Sequence, residues 1–90
     1  MSRSLDRGPD AVLAPLTQLI AAAAERPAAE VVPGARFNED LGVDSLEMAA
    51  LLVDVEHHFG VVIVSDVLAH VETVDDMHQA VRRLMRERAA

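Results

Sequence analysis

The sequence predicts an all-α fold: a four-helix bundle of three main helices and a short third helix, with a long loop between helices 1 and 2. Three observations predict it. Apolar residues recur at helical spacing in three separate segments. The one strand-like run, Val-Val-Ile-Val at 61–64, has no second strand to pair with. The core has to be aliphatic, because 51% of the 90 residues are hydrophobic while the aromatics are only Phe37 and Phe59. A chain of this length holds one small domain, whose stability rests on good helix packing.

Residues 1–10 are polar, contain Gly8 and Pro9, and read as a flexible N-terminal tail; the domain proper is expected over 11–88. The first helix is expected over about 11–25, with Val12, Leu16, Leu19, Ile20 and Ala23 on one side. Pro15 is expected in its first turn, where a missing N–H costs nothing, so that regular helix starts at Ala14 or Pro15. Ala21–Ala24 favours helix and Pro27 stops it. Residues 26–44 carry Pro27, Pro33, Gly34 and Gly42 without periodicity. A loop this long needs apolar residues to pin it, and Val31, Val32, Phe37 and Leu41 are the candidates.

The second helix, 45–59, is the most legible. Asp44 can N-cap it, and Glu47 three residues later completes a capping box. Met48, Leu51, Leu52, Val55 and Phe59 form an inward stripe, and Gly60 ends the helix. The opposite face carries Leu46, Glu47, Ala50, Val53, Asp54 and His57. Leu46 and Val53 are two apolar residues on a face that should be wet. Single exposed apolar residues are normal, while two on one face of an acidic helix suggest a docking surface, and the pattern alone leaves both readings open. Residues 61–64 are expected to be an extended, buried connector. Ser65 or Asp66 is expected to cap a short third helix through about His70. Thr73-Val74-Asp75-Asp76 opens the last helix with a capping-box pattern. Val74, Met77, Val81 and Leu84 are its inner stripe, and Arg82, Arg83, Arg86 and Arg88 sit near its C-terminus, where cations suit the helix dipole.

The net charge is −7, which argues against nucleic acid as a partner. Its distribution is uneven. Residues 1–36 hold four Arg and four acids, residues 37–81 hold ten acids and no Arg or Lys, and residues 82–90 hold four Arg and one acid. A single-sign middle either steers basic partners or keeps a small protein soluble, and charge alone leaves both readings open. There is no Cys, so disulfides, thiolate zinc sites and thiol nucleophiles are excluded. No apolar run approaches the ~20 residues of a membrane span, and no apolar signal region follows the first arginines. A cytoplasmic protein with no membrane partner is expected. His57 and His58 point about 100° apart on a helix, and His70 and His78 fall on other elements, so no metal site is expected. Nothing places a His beside any Ser, and there is no Gly-rich phosphate loop, so an enzyme is not expected.

There remains Gly42-Val43-Asp44-Ser45-Leu46 at the start of the second helix. On spacing alone it is a helix cap that needs no function. Extended to Phe37-Asn38-Glu39-Asp40-Leu41-Gly42-Val43-Asp44-Ser45-Leu46, it resembles the acyl carrier protein family. The likeness continues through Leu51, Leu52, Val55, Glu56, Phe59 and Ile63 to Thr73-Val74-Asp75-Asp76, and covers about 12–85.

The resemblance implies a non-enzymatic carrier. Its Ser45, flanked by Asp44 and Leu46, would receive 4′-phosphopantetheine from coenzyme A through a phosphopantetheinyl transferase. The thiol of that arm would hold acyl intermediates as thioesters. Leu46, Glu47, Ala50, Val53, Asp54 and His57 would dock acyl-loading, ketosynthase or other biosynthetic enzymes through their basic patches. A monomeric, free-standing, type II-like carrier is expected, with 11–88 as the acyl carrier domain. Ala50 and His57 stand where carriers of fatty-acid synthesis are usually acidic, and Val64 replaces a frequent Pro. These departures favour a polyketide or other specialised pathway over fatty acid biosynthesis. A peptidyl or aminoacyl carrier ranks lower, because those usually show Gly-Gly where this chain has Gly42-Val43. An unmodified acidic helical interaction module is the alternative from a different class.

Overall fold

The computed structural model describes residues 7–89. Four α-helices follow in order: α1 (Arg7–Ala24), α2 (Ser45–Phe59), α3 (Ser65–Leu68) and α4 (Val74–Ala89), with a single 3-10 turn at Ala28–Glu30. The fold is therefore the expected all-helical bundle with a short third helix and a long first loop. Helix α1 packs against both α2 and α4. Leu16 and Ile20 of α1 meet Leu51 and Val55 of α2 and Val74, Met77 and Val81 of α4 in one buried aliphatic core.

The start of α1 corrects the sequence reading. Residues 7–10, expected as tail, form its first turn, and residues 1–6 lie outside the described part. Pro9 occupies the first turn, the place expected for Pro15, while Pro15 sits in the helix interior. There its ring removes the amide that would bond Ala11, a cost that the buried residues around it outweigh. Helix α1 ends at Glu25, which takes left-handed φ of 56°, and Arg26 closes the turn by donating to Ala21 O.

The long loop is pinned by Val31, Ala35, Phe37, Leu41 and Val43, all buried. Of the four expected pins, Val31, Phe37 and Leu41 are buried, while Val32 is exposed. The loop is also stitched to the start of α4. Phe37 N–H donates to Glu72 O, Val74 N–H to Ala35 O, and Asp75 N–H to Pro33 O. Arg36 and Thr73 thereby form an isolated antiparallel bridge.

Helix α2 runs as expected. Leu51, Val55 and Phe59 are buried, with Met48 and Leu52 half-buried beside them. Gly60 closes it in the left-handed conformation, φ 66°. A Cβ at that position would also meet the Arg88 guanidinium, which donates to Gly60 O. Gly60→Ala is expected to cost about 1–2 kcal/mol, the penalty of forcing an L-residue into this conformation. A urea titration reads it as a lower midpoint at unchanged slope.

The connector is only half what was expected. Val61 is buried and Ile63 half-buried, but Val62 and Val64 point to solvent, so the run alternates as extended chain does. Ile63 N–H finds its partner in the Glu56 carboxylate at 2.7 Å. Neither Ser65 nor Asp66 caps α3. Val64 holds the cap position without a side-chain bond, Ser65 is the first helical residue, and the helix stops at Leu68 with a turn through His70. The α4 cap is as expected. Asp76 N–H donates to Thr73 Oγ1, and the Asp76 carboxylate accepts from the amides of Glu72 and Thr73.

Candidate functional site

The site is built on the N-terminus of α2. Asp44 is extended and caps the helix: its carboxylate accepts from Glu47 N–H at 2.7 Å, and Glu47 returns the bond to Asp44 N–H at 3.0 Å. Ser45 is the first helical residue. It is exposed and takes no part in the box, so its hydroxyl is left for chemistry. The amides of Ser45 and Leu46 open the helix and have no carbonyl within it to bond, which leaves the positive end of the helix dipole beside the hydroxyl.

The loop ahead of Ser45 is held tightly. Val43 N–H donates to Phe37 O at 2.8 Å, and Asn38 Nδ2 donates to Val43 O. Gly42 turns the chain with φ 70°, a conformation that disfavours any side chain. Arg36 fastens the other side: its backbone N–H, Nε and Nη2 all donate to the Asp40 carboxylate, and Nη1 lies 3.4 Å from Glu39. Those Arg36 hydrogen bonds hold the Asp40 carboxyl below the usual carboxylate range. The Asp76 carboxyl is likewise lowered, by the Glu72 and Thr73 amides.

The Asp40 carboxylate holds the long loop folded on Arg36 and the Asp76 carboxylate caps α4, so the site's frame is acid-sensitive. A lowered folded pKa gives stability that is fully present above the unfolded value of about 4 and is lost as pH falls through the folded value. The urea midpoint is therefore expected to fall below about pH 4. Asp76→Asn is expected to lower the midpoint at neutral pH and to flatten that acid decline.

An open cleft of about 440 Å³ adjoins Ser45, lined among others by Arg36, Phe37, Val43, Met48 and Val71. A second, of about 470 Å³, lies between α3 and α4 among Asp66, His70, Gln79, Arg83 and Arg86, and does not include Ser45. The outer face of α2 is as expected. Leu46 is 79% exposed and Val53 53%, and Glu47, Ala50, Asp54 and His57 are exposed with them. Sequence reasoning missed Arg36, Met48 and Val71 as walls of the cleft. It also missed the exposure of Val62 and Val64, which the alternation of a lone extended run signals.

Among the described residues no group of three or more His, Asp or Glu can hold a metal, and no helix is long and apolar enough to cross a membrane. An exposed serine hydroxyl at a dipole-positive helix end, beside an open cleft with no His in its lining, suits covalent attachment of a phosphate-linked group. Residues 14–81 match the family model described as "Phosphopantetheine attachment site". The chain belongs to the acyl carrier protein family. The acyl carrier protein of Thermobifida fusca (strain YX) is 41% identical over 66 residues, 73% of this chain and 84% of that protein. That of Acidothermus cellulolyticus is 38% identical over 65 residues, 72% of this chain and 77% of that protein. That of Karelsulcia muelleri (strain GWSS) is 36% identical over 56 residues, 62% and 68% respectively. The chain is accordingly a carrier rather than an enzyme, and its cofactor is 4′-phosphopantetheine. It works with a phosphopantetheinyl transferase and with biosynthetic enzymes.

Proposed function

We propose that Ser45 is the attachment point of the arm, and that the chain carries acyl thioesters between enzymes of a polyketide or other specialised pathway. The observation that carries this is the exposed Ser45 hydroxyl at the start of α2, released from capping by Asp44 and Glu47. Loading forms a bond from Ser45 Oγ to the pantetheine-side phosphorus of coenzyme A and breaks the pyrophosphate link. Adenosine 3′,5′-bisphosphate leaves, and the hydroxyl proton passes to a base of the transferase. When bound, the arm supplies the thiol that a chain without Cys lacks. The free amides of Ser45 and Leu46 favour the phosphodiester, while the charge of Asp44 opposes it. The role of Asp44 is the cap and contact with the transferase.

Partner enzymes with basic patches would meet Glu47 and Asp54, and Leu46 and Val53 would fill apolar hollows between them. Ala50 and His57, exposed on this same face, leave it less acidic than that of a fatty-acid carrier, which supports the specialised pathway. A monomer in the cytoplasm, with the carrier domain spanning 11–88 and the first turn of α1, suits the need for access from all partners. Incubation with coenzyme A, Mg²⁺ and a broad-specificity transferase is expected to add the mass of one phosphopantetheine. Folded protein that gains none would contradict the reading. Leu46→Ala is expected to raise the transferase KM about tenfold with kcat little changed, the cost of truncating one central interface residue. Steady-state loading rates at varied carrier concentration check it.

A further inference from the structure

We propose that Arg36 is the positioning cation for the phosphodiester of the arm, an inference that rests on Ser45 as the attachment point. Between Arg26 and Arg82 the chain holds no Arg or Lys except Arg36. A phosphodiester at Ser45 arrives beside the carboxylates of Asp44 and Glu47, which repel it. Arg36 is the one cation among the residues lining the same cleft, which also holds Glu39, Asp44 and Glu72. Its backbone is set relative to Ser45, because the next residue, Phe37, accepts from Val43 N–H, two residues before the serine.

The guanidinium is divided in a way that leaves one edge to exchange. Nε and Nη2 hold Asp40, which keeps the loop folded. Nη1 faces Glu39 at 3.4 Å, and both side chains are about half exposed, at 49% and 57%. An ion pair this exposed is weak. A planar fork can keep Asp40 on one edge and give Nη1 to a phosphodiester oxygen. The amides of Ser45 and Leu46 hold the phosphate from the helix side and Arg36 from the loop side.

The test uses the ¹⁵N-labelled full chain before and after loading, with loading checked by intact mass. The Arg36 Nε–H resonance is identified by its absence in Arg36→Lys. On loading it is expected to shift more than that of any other arginine. Glu39→Gln, which leaves the Asp40 pair in place, is expected to enlarge that shift, because Nη1 no longer has a competing carboxylate. Full loading with shifted Ser45 and Leu46 amides but an unmoved Arg36 signal would overturn this proposal and leave Ser45 standing. Failure to load would overturn the Ser45 reading and this proposal with it.

Discussion

Ser45→Ala is expected to take up no phosphopantetheine while unfolding within about 0.5 kcal/mol of the wild type. The two halves of that expectation have separate causes. The hydroxyl is the proposed nucleophile, and alanine offers no atom to bond phosphorus. The stability half follows from the cap. Asp44 and Glu47 make both bonds of the box, Ser45 is exposed, and alanine is the better helix former. Asp44→Ala is the contrasting case. It keeps the hydroxyl but loses the acceptor for Glu47 N–H, at a cost of about 1 kcal/mol. Intact mass after loading and a urea titration of both variants separate attachment from capping. An alanine variant that still gained the arm would move the site elsewhere.

Leu51→Ala is expected to destabilise the domain by about 2–5 kcal/mol. Leu51 is 1% exposed and belongs to the core where α1, α2 and α4 meet. Truncation removes its transfer energy and leaves a cavity that three packed helices cannot fully close. Small domains carry only about 5–15 kcal/mol in all, so a large part of the total goes with this one side chain. A urea midpoint close to that of the wild type would show that the packing around Leu51 is looser than the structure implies.

Those two residues also mark how much the sequence disclosed. The limits of α2 are legible because both ends are local chemistry: Asp44 and Glu47 at one, left-handed Gly60 at the other. The start of α1 is not, because Pro15 satisfies the local rule for a first turn, and the burial of Val12 upstream of it draws the helix past that point. Val31 and Val32 are indistinguishable by type, and the 3-10 turn before them decides which one faces the core. The Asp44-Ser45 pair is visible in the sequence by its cap and its likeness to a known family. The cleft beside it is not, because it forms where the loop at 36–37 meets residues 71–72, far along the chain. Arg36 carried a signal that could have been read, as the one fixed cation between Arg26 and Arg82.

The central claim is that the arm sits on Ser45, and peptide-level mass spectrometry of the loaded protein tests it most directly. Trypsin cuts after Arg36 and Arg82 and releases residues 37–82, which hold two serines, Ser45 and Ser65. Both lie at helix starts, but Ser45 follows a capping aspartate while Ser65 opens the four-residue α3. Fragmentation of that peptide is expected to place the whole added mass on Ser45. Mass on Ser65, or on any residue outside this peptide, would contradict the account.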